Sequence, residues 1–507
     1  MAGTRQVGTR STEDTSAGAK RRKAQNGDAV PVKKAPAAAK KAASGTRRAG
    51  SAKKAAAAKA VAKSRAKAKP AKKAAPKARK TAVPEKAKAE AKDEGPPAPV
   101  SFLKARTAPV HGLAARADKR GTVFVFGNGD CGQLGLGDDM IERKKPFPVT
   151  AIANEAMVDV VSGGLHTVAL TAEGRLWSWG CNDQKALGRD GDEFTAAPVE
   201  GLDSVRISRV ACSDSATFAL AEDGHLYAWG TFRSAEGIMG FSASVLVQAR
   251  PTVINAFREP IVDLCAGVDH ALALSASGKV YAWGYGQQGQ LGRLVMERRR
   301  LHGLTPERLR LLDVHHIGCG SYHSFAVTRS GTVYAWGLNN FHQLGLTPAE
   351  GRAEEIIHEP VAVSALKDAA IVKISGGEHH SIALAADGRL YAFGRSDSHQ
   401  TGLPFSTLPS DAVPNGDDAA AHKKAITAPT LVNNLPPVAD FVCGSNHNIA
   451  LTPDGKAYSW GYGEMLQLGN GEEEDVALPT LLQGQKIDGK SILKVAAGGQ
   501  HSAILAA

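Results

Sequence analysis

Six histidines recur at equivalent places along the second part of the chain, which makes them the first candidates for chemistry. Each stands in a similar stretch, such as VSGGLHTVALTAEGRLWSWG, at the start of a predicted inner strand; they are His166, His270, His323, His380, His447 and His501. An imidazole can act as a general base, a metal ligand or a structural hydrogen-bonding group. Equivalence from copy to copy favours a structural role for any single one, such as a hydrogen bond to a loop carbonyl of its own repeat.

The sequence gives little support to metal binding or covalent catalysis. Separate repeats keep the histidines from converging on one tetrahedral ion, so we expect no metal and no cofactor. The chain lacks a glycine-rich phosphate loop, a G-x-S-x-G motif and a histidine paired with a nucleophilic cysteine. Cys212, Cys319 and Cys443 share one repeat position and are predicted to be small buried thiols rather than disulfides or metal ligands.

The histidines belong to a repeat that occurs seven times with a period of about 50 residues. One copy, CSDSATFALAEDGHLYAWG, has Ala216 at the histidine position, which is expected to weaken one contact. After that position come an apolar run, a glycine turn and an alternating run ending in Trp-Gly, which describes a hairpin. A proline-headed run then supplies an outer strand. Four strands in each of seven copies predict an all-β, seven-bladed β-propeller over residues 120–507.

The two ends of the repeat region are complementary halves of one copy. Gly121–Gly135 has only the second half, and the final AGGQHSAILAA has only the first half. Together they make one blade, so the N-terminal strand is predicted to close the ring against the C-terminal strand.

Residues 1–119 are predicted to form a disordered basic tail. Residues 1–100 hold 27 Lys and Arg against 7 Asp and Glu, with no Leu, Ile, Phe, Trp, Tyr or His, whereas residues 101–507 hold 35 against 43. Such a composition cannot offset the entropy of folding. Runs around Lys72 and Lys73 resemble linker-histone tails and would neutralise DNA phosphates without reading sequence. A plain solubilising tail is the alternative.

A cluster in this tail resembles a two-part nuclear import signal, which a nuclear import receptor would bind. It consists of Lys20, Arg21, Arg22, Lys23, Lys33 and Lys34. No apolar run reaches membrane-spanning length and no signal-peptide core follows Met1, so we expect a soluble intracellular protein with no membrane partner.

Three departures from the repeat are candidates for function. In the copy with Ala216, the interval Gly230–Gly240 is ten residues instead of eight, so this loop is two residues longer. Three consecutive arginines, Arg298–Arg300, follow Gly292. An insertion at residues 404–424 stretches one histidine interval to 67 residues and predicts a mobile surface loop.

The run GNGDCGQLGLGDDMIERKKP, followed in order by GGLHTVAL, CNDQKALGRD, GQQGQLGR and GGEHHSIAL, resembles the regulator-of-chromosome-condensation family. These proteins are chromatin-bound guanine-nucleotide exchange factors for the small GTPase Ran. The resemblance covers residues 121–507, while the tail matches only in being basic. It implies that one propeller face binds Ran and that a loop wedges its nucleotide site open, so that GTP replaces GDP without covalent chemistry.

The resemblance also implies site residues. By this resemblance, the residues important for exchange are Asp214, Asp269, His380 and His501. The residues that contribute to Ran binding are Asp130, His166 and Arg293. The lengthened loop is the wedge by position and includes Thr231, Phe232, Arg233 and Gly237. Asp214 and Asp269 would share one rim, where carboxylates could engage lysines that otherwise hold phosphates. Arg298, Arg299 and Arg300 fall where the family meets the acidic patch of the histone octamer; a solvated basic loop is an equal alternative.

We therefore predict a monomeric, nuclear, chromatin-associated exchange factor. Its tail and one face would bind histones and DNA, and its other face would bind Ran in its GDP, GTP and nucleotide-free states. The Ran-GTP formed would serve nucleocytoplasmic transport and the assembly of the mitotic spindle and nuclear envelope. The alternative is a non-catalytic, chromatin-bound scaffold of the same superfamily. A photoreceptor-type propeller is disfavoured, because all six tryptophans belong to the strand ending in Trp-Gly.

Overall fold

Seven four-stranded antiparallel sheets and one small hairpin make up the strands of the propeller. The computed structural model describes residues 111–404 and 425–507. Lys72, Lys73, the import cluster and residues 405–424 of the insertion lie outside these ranges. Within them, the seven sheets confirm the predicted seven-bladed β-propeller. No helix in the described ranges is long and apolar enough to cross a membrane.

Each blade has strands A to D from the axis outwards, and strands are numbered in chain order. Blade 1 has β3 (Met157–Ser162), β4 (His166–Thr171), β5 (Leu176–Gly180) and β6 (Ala197–Pro198). Blade 2 has β7 (Ile207–Cys212), β8 (Ala216–Ala221), β9 (Leu226–Gly230) and β12 (Gln248–Val253). Blade 3 has β13 (Ile261–Ala266), β14 (His270–Ser275), β15 (Val280–Gly284) and β16 (Glu307–Arg308). Blade 4 has β17 (Val314–Cys319), β18 (His323–Thr328), β19 (Val333–Leu338) and β20 (Ile356–Ala362).

The remaining blades follow the same order. Blade 5 has β21 (Ile371–Gly376), β22 (His380–Ala385), β23 (Leu390–Arg395) and β24 (Ala425–Leu431). Blade 6 has β25 (Asp440–Cys443), β26 (His447–Leu451), β27 (Ala457–Gly461) and β28 (Val476–Leu481). Blade 7 combines β29 (Ile492–Ala497) and β30 (His501–Ala506) with β1 (Thr122–Asn128) and β2 (Glu142–Pro148). The small hairpin is β10 (Phe232–Ser234) and β11 (Gly237–Gly240), and 3-10 turns cover Thr150–Ile152, Glu297–Leu304, Pro348–Glu350 and Ser364–Leu366.

The ring closes as predicted. β1 pairs with β30 without a break from Thr122 opposite Ala506 to Gly127 opposite His501. This pairing joins the first and last strands in one sheet, so blade 7 has no weak seam.

Residues 111–119, which the sequence predicts as the end of the tail, contact the propeller. The His111 ring nitrogen lies 2.9 Å from the Val314 carbonyl, and Arg116 forms a 2.9 Å ion pair with Glu222. Ala114 and Ala117 pack against two apolar cores. These contacts with three blades offset the entropy of ordering a short segment.

The B strands are the centre of each blade's core. β4, β8, β14, β18, β22 and β30 are buried at every residue. The tryptophan of each Trp-Gly pair is buried beside them, and its indole N–H needs an acceptor. Trp179, for example, donates to the Gln133 carbonyl at 3.0 Å. Gly135 of the Gln-Leu-Gly sequence lies against that ring with a φ of 65°, where a side chain would collide.

Six charged side chains and one histidine surround the axis at one position of the A strands; burial lowers the pKa of that histidine, His316, to about 4, so it is neutral near pH 7. In order around the ring they are Asp159, Arg209, Asp263, His316, Lys373, Asp440 and Lys494. Six of the seven strands show a β-bulge next to this position, which re-aims the side chain. Arg209 lies 3.6 Å from Asp263, and Lys373 lies 2.5 Å from Asp440. We call this set the axial charge ring; it joins neighbouring blades through unlike charges.

The cysteines of the shared repeat position lie nearer the other end of the axis. They line a constriction of about 130 Å³ together with glycines and serines of the A–B loops. Cys319 is buried as predicted, whereas Cys212 and Cys443 are half-buried and pack at the edges of two blade cores.

Candidate functional site

The A–B loops of all blades, and the C–D loops of the blades other than blade 5, lie on one side of the disc, here called the upper face. The pairing fixes this, because each B strand begins where its C strand ends: His166 lies opposite Gly180, Ala216 opposite Gly230 and His270 opposite Gly284. Asp214 and Asp269 stand in A–B loops and therefore share this face, as expected from their positions.

The lengthened loop of blade 2 forms a β-hairpin that rises from the upper face. Phe232 pairs with Gly240, Arg233 with Ile238 and Ser234 with Gly237. We call Phe232–Gly240 the wedge hairpin. Its root is fixed, because Thr231 and Phe232 are buried and the Thr231 hydroxyl donates to the Leu246 carbonyl at 2.6 Å. Its outer part is exposed, including Ile238, of which 49% is accessible.

The repeat histidines connect neighbouring blades, so the expected bond to a carbonyl of the same repeat is wrong. The Nε2 atom of each contacts a Ser, Thr or Asn side chain at the start of the next B strand. The pairs, at 2.8–2.9 Å, are His166–Thr217, His270–Ser324, His323–Ser381, His380–Asn448, His447–Ser502 and His501–Thr167. Where the partner is a hydroxyl that itself donates to a loop carbonyl, as Ser324 does to Gln290, the imidazole Nε2–H is the donor.

Three residues carried over as site residues are among these bridging histidines. His166, His380 and His501 have no exposed surface. Burial lowers the pKa of His166 and His380 to about 4 and that of His501 to about 3, so all three are neutral near pH 7. In this structure each of them links two neighbouring blades from a fully buried position.

The missing histidine at Ala216 is matched by a missing partner. The next B strand has Ala271 where the others have Ser, Thr or Asn, so the exchange of both residues leaves no unpaired hydroxyl or amide between these two blades. Phe232 of the wedge hairpin packs in the same apolar cluster, with its ring centroid 5.9 Å from that of Phe218. The blade that lacks the repeat histidine is therefore the one in which the wedge hairpin is anchored.

The two aspartates stand beside this hairpin. A carboxylate oxygen of Asp269 accepts the backbone N–H of Arg233 at 2.6 Å. Burial raises the pKa of Asp269 to about 6, and this hydrogen bond opposes the rise. Asp214 is exposed to solvent, but the protein around its carboxylate displaces part of the hydration; this desolvation, followed by the charge of Asp269, raises its pKa to about 7.

Sequence reasoning missed one carboxylate of this rim, Glu378 in the A–B loop of blade 5. Its charge acts on Asp214 and contributes to the raised pKa there. It stands two residues before His380, the same repeat position that Asp214 has before Ala216, and this shared register could have identified it. Asp214, Asp269 and Glu378 are the charged acidic groups of the seven A–B loops, and we call them the rim carboxylates.

The arginine run lies next to the wedge hairpin. Arg298–Arg300 fall in the 3-10 turn Glu297–Leu304, part of the C–D loop of blade 3. The Arg300 guanidinium forms ion pairs with Glu236 at 2.6 Å and with Glu297 at 3.0 Å. The topology places this turn and the wedge hairpin on the same upper face.

The other carried-over residues divide into exposed and structural ones. Asp130 is exposed in the C–D loop of blade 7, also on the upper face. Arg293 pairs with Glu307 at 3.1 Å within blade 3, and burial lowers its pKa, so it stabilises its own loop. Gly237 has a φ of 121° at the hairpin turn, a conformation that L-residues rarely adopt. No group of three or more His, Cys, Asp or Glu in the described ranges is arranged to hold a metal ion.

Comparison with known proteins matches this architecture to one family. The model of the RCC1-like domain matches residues 122–504. Protein pim1 of Schizosaccharomyces pombe is 42% identical over 78% of this chain and 77% of its own length. Guanine nucleotide exchange factor SRM1 of Saccharomyces cerevisiae is 36% identical over 75% of this chain and 86% of its own length. The crystal structure of Prp20p from the same yeast, described with its binding to Gsp1p and histones, has a TM-score of 0.73 at 36% identity and covers 78% of this chain and 93% of that one.

Proposed function

The chain belongs to the RCC1-like domain family, and from this membership we propose that it is a guanine-nucleotide exchange factor for the small GTPase Ran. The observation that carries the proposal is the wedge hairpin standing beside the rim carboxylates on one face. Support comes from relatives named as an exchange factor and as a binder of Gsp1p.

The geometry suggests how exchange would proceed. The GTPase docks on the upper face, and the exposed part of the hairpin, around Ile238, enters between the elements that hold the nucleotide. Asp214, Asp269 and Glu378 attract a lysine that would otherwise hold phosphate. Both effects stabilise the nucleotide-free GTPase relative to the nucleotide-bound one, which lowers the barrier to release of GDP. No covalent bond forms, and cellular GTP then occupies the open site.

Release of fluorescent GDP from Ran tests this function directly. The purified full-length protein should accelerate release at catalytic concentrations, and a variant with the hairpin tip Ala235–Ile238 replaced by Gly-Gly should not. A wild-type protein without effect on GDP release would leave the chromatin-bound scaffold as the better interpretation.

We further propose that the protein acts as a nuclear, chromatin-associated monomer. The proposed chromatin contacts are Lys72, Lys73 and the arginine run. A nuclear import receptor would bind Lys20–Lys23 together with Lys33 and Lys34. A histone-binding relative supports the chromatin partner. Deletion of residues 1–100 should reduce retention on nucleosomes without changing exchange in solution; an exchange defect would mean that the tail also contacts the GTPase.

A further inference from the structure

We propose that Arg300 is a positioning residue for exchange, which holds the tip of the wedge hairpin through Glu236. This inference rests on the exchange function proposed above. It assigns Arg300 a different task from Arg298 and Arg299, its neighbours in the arginine run.

The wedge hairpin needs support beyond its own strands. Its two strands have three and four residues, and an isolated two-stranded hairpin of this size is at best marginally stable in water. The root is held by the burial of Phe232, and the first strand by the bond from the Arg233 N–H to Asp269. Neither contact restrains the turn between the strands, where Glu236 stands.

Arg300 supplies this restraint from a fixed base. Its Nη1 atom lies 2.6 Å from a Glu236 carboxylate oxygen and 3.0 Å from one of Glu297 in its own loop. Leu304, at the end of the same 3-10 turn, is buried in the apolar cluster that contains Phe232 and Met239. The loop of blade 3 and the hairpin of blade 2 are therefore joined by a shared apolar core at their base and by an ion pair at the hairpin tip.

The two preceding arginines do not make this contact. Arg298 and Arg299 are exposed, and among the described residues no carboxylate lies within ion-pair distance of either. A surface ion pair contributes little to global stability. Its effect here is local, because the residue it fixes stands at the tip of the element that must enter the GTPase.

The experiment compares Arg300→Ala with Arg299→Ala, which removes the same charge from the same turn without breaking the pair. GDP release is measured as a function of Ran concentration. We expect Arg300→Ala to lower kcat by about threefold to fivefold with little change in KM, because the hairpin acts on nucleotide release rather than on docking. Arg299→Ala should behave as wild type in solution. Arg300→Lys should have a kcat between those of Arg300→Ala and wild type. The double variant Arg300→Glu with Glu236→Arg, which exchanges the two charges, should have a higher kcat than either single variant.

Equal behaviour of Arg300→Ala and Arg299→Ala, or an effect confined to KM, would overturn the proposal in favour of a general docking role for the arginine run. A second measurement does not depend on the GTPase. Hydrogen–deuterium exchange of the amides of residues 235–238 should quicken in Arg300→Ala and in Glu236→Gln, which breaks the pair from the exposed hairpin side. Unchanged protection in both variants would contradict the inference even if the wild-type protein proved inactive on Ran, whereas faster amide exchange with no GDP release by wild type would refute only the exchange function.

Discussion

The Asp269 carboxylate accepts the backbone N–H of Arg233 at 2.6 Å, and this bond joins the rim of blade 3 to the wedge hairpin of blade 2. The two residues are 36 positions apart in the chain. An aspartate carried over as a contact for the GTPase is thus also a support for the element that would open the nucleotide site. The two roles can be separated by substitution.

Asp269→Ala removes both the charge and the acceptor of the Arg233 bond. We expect kcat/KM for GDP release to fall about tenfold or more, because the loss of one desolvated charge contact at a binding surface costs about 2–5 kcal/mol. Asp269→Asn keeps an amide oxygen that can accept the same N–H and should stay within about threefold of wild type if support of the hairpin dominates. Asp488→Ala, on the opposite face, is the control. Equal loss in the Asn and Ala variants would show that the charge, not the bond, matters.

Asp214 should make exchange depend on pH. Its pKa is raised to about 7, first by desolvation and then by Asp269. The ionised form is the one that attracts a lysine, so kcat/KM should increase from pH 6 to pH 8. Asp214→Asn should have lower activity at pH 8 and lose most of this increase. Parallel pH profiles for the two proteins would show that Asp214 does not titrate during exchange.

The same raised pKa predicts the effect of Asp214 on stability. A carboxylic acid whose pKa is higher in the folded than in the unfolded chain, here about 7 against an ordinary 3.8, stabilises the fold at low pH, and this contribution is lost as pH rises through 7. Asp214→Asn should therefore melt at a higher temperature than wild type at pH 8 and at the same temperature near pH 4. A lower melting temperature at pH 8 would contradict the raised pKa.

His270 should stabilise the ring through its partner in the next blade. His270→Ala removes a buried side chain and leaves the Ser324 hydroxyl without its donor, so the free energy of unfolding should fall by about 2–4 kcal/mol. Adding Ser324→Ala reproduces the natural Ala216 and Ala271 pair, and the Gln290 carbonyl keeps the Trp336 indole N–H as a donor. The double variant should lose less than the sum of the two single variants in urea unfolding. Strict additivity would show that the two side chains are not coupled.

The axial charge ring should behave as a set of coupled pairs. Lys373→Met leaves the Asp440 carboxylate without its 2.5 Å partner, and we expect a loss of about 1–2 kcal/mol, since both side chains are about one-third exposed. Lys373→Met combined with Asp440→Leu removes the uncompensated charge and should recover most of the loss. Thermal unfolding of the single and double variants measures this. A double variant less stable than Lys373→Met would contradict the pairing.

Sequence patterns predicted the propeller well because its pattern is local. The histidine, the glycine turn and the Trp-Gly pair lie close together in the chain and recur from copy to copy, so they predict the strands of one blade directly. The complementary half-repeats likewise predicted the pairing of β1 with β30. The longer loop between Gly230 and Gly240 was visible as a change in spacing, although its folding into a hairpin was not.

The partners of these residues were decided by the packing of one blade on the next. His270 contacts Ser324 from 54 residues away, and Arg300 contacts Glu236 from 64. Neither pairing follows from the period of the repeat. Each depends on loop lengths and on how one blade is oriented against the next. The same packing decides the ion pairs of the axial charge ring. It also places the arginine run beside the wedge hairpin. The blades and their number follow from local sequence patterns. Which side chains face each other between blades follows only from the tertiary structure, because those contacts form when one blade packs on the next.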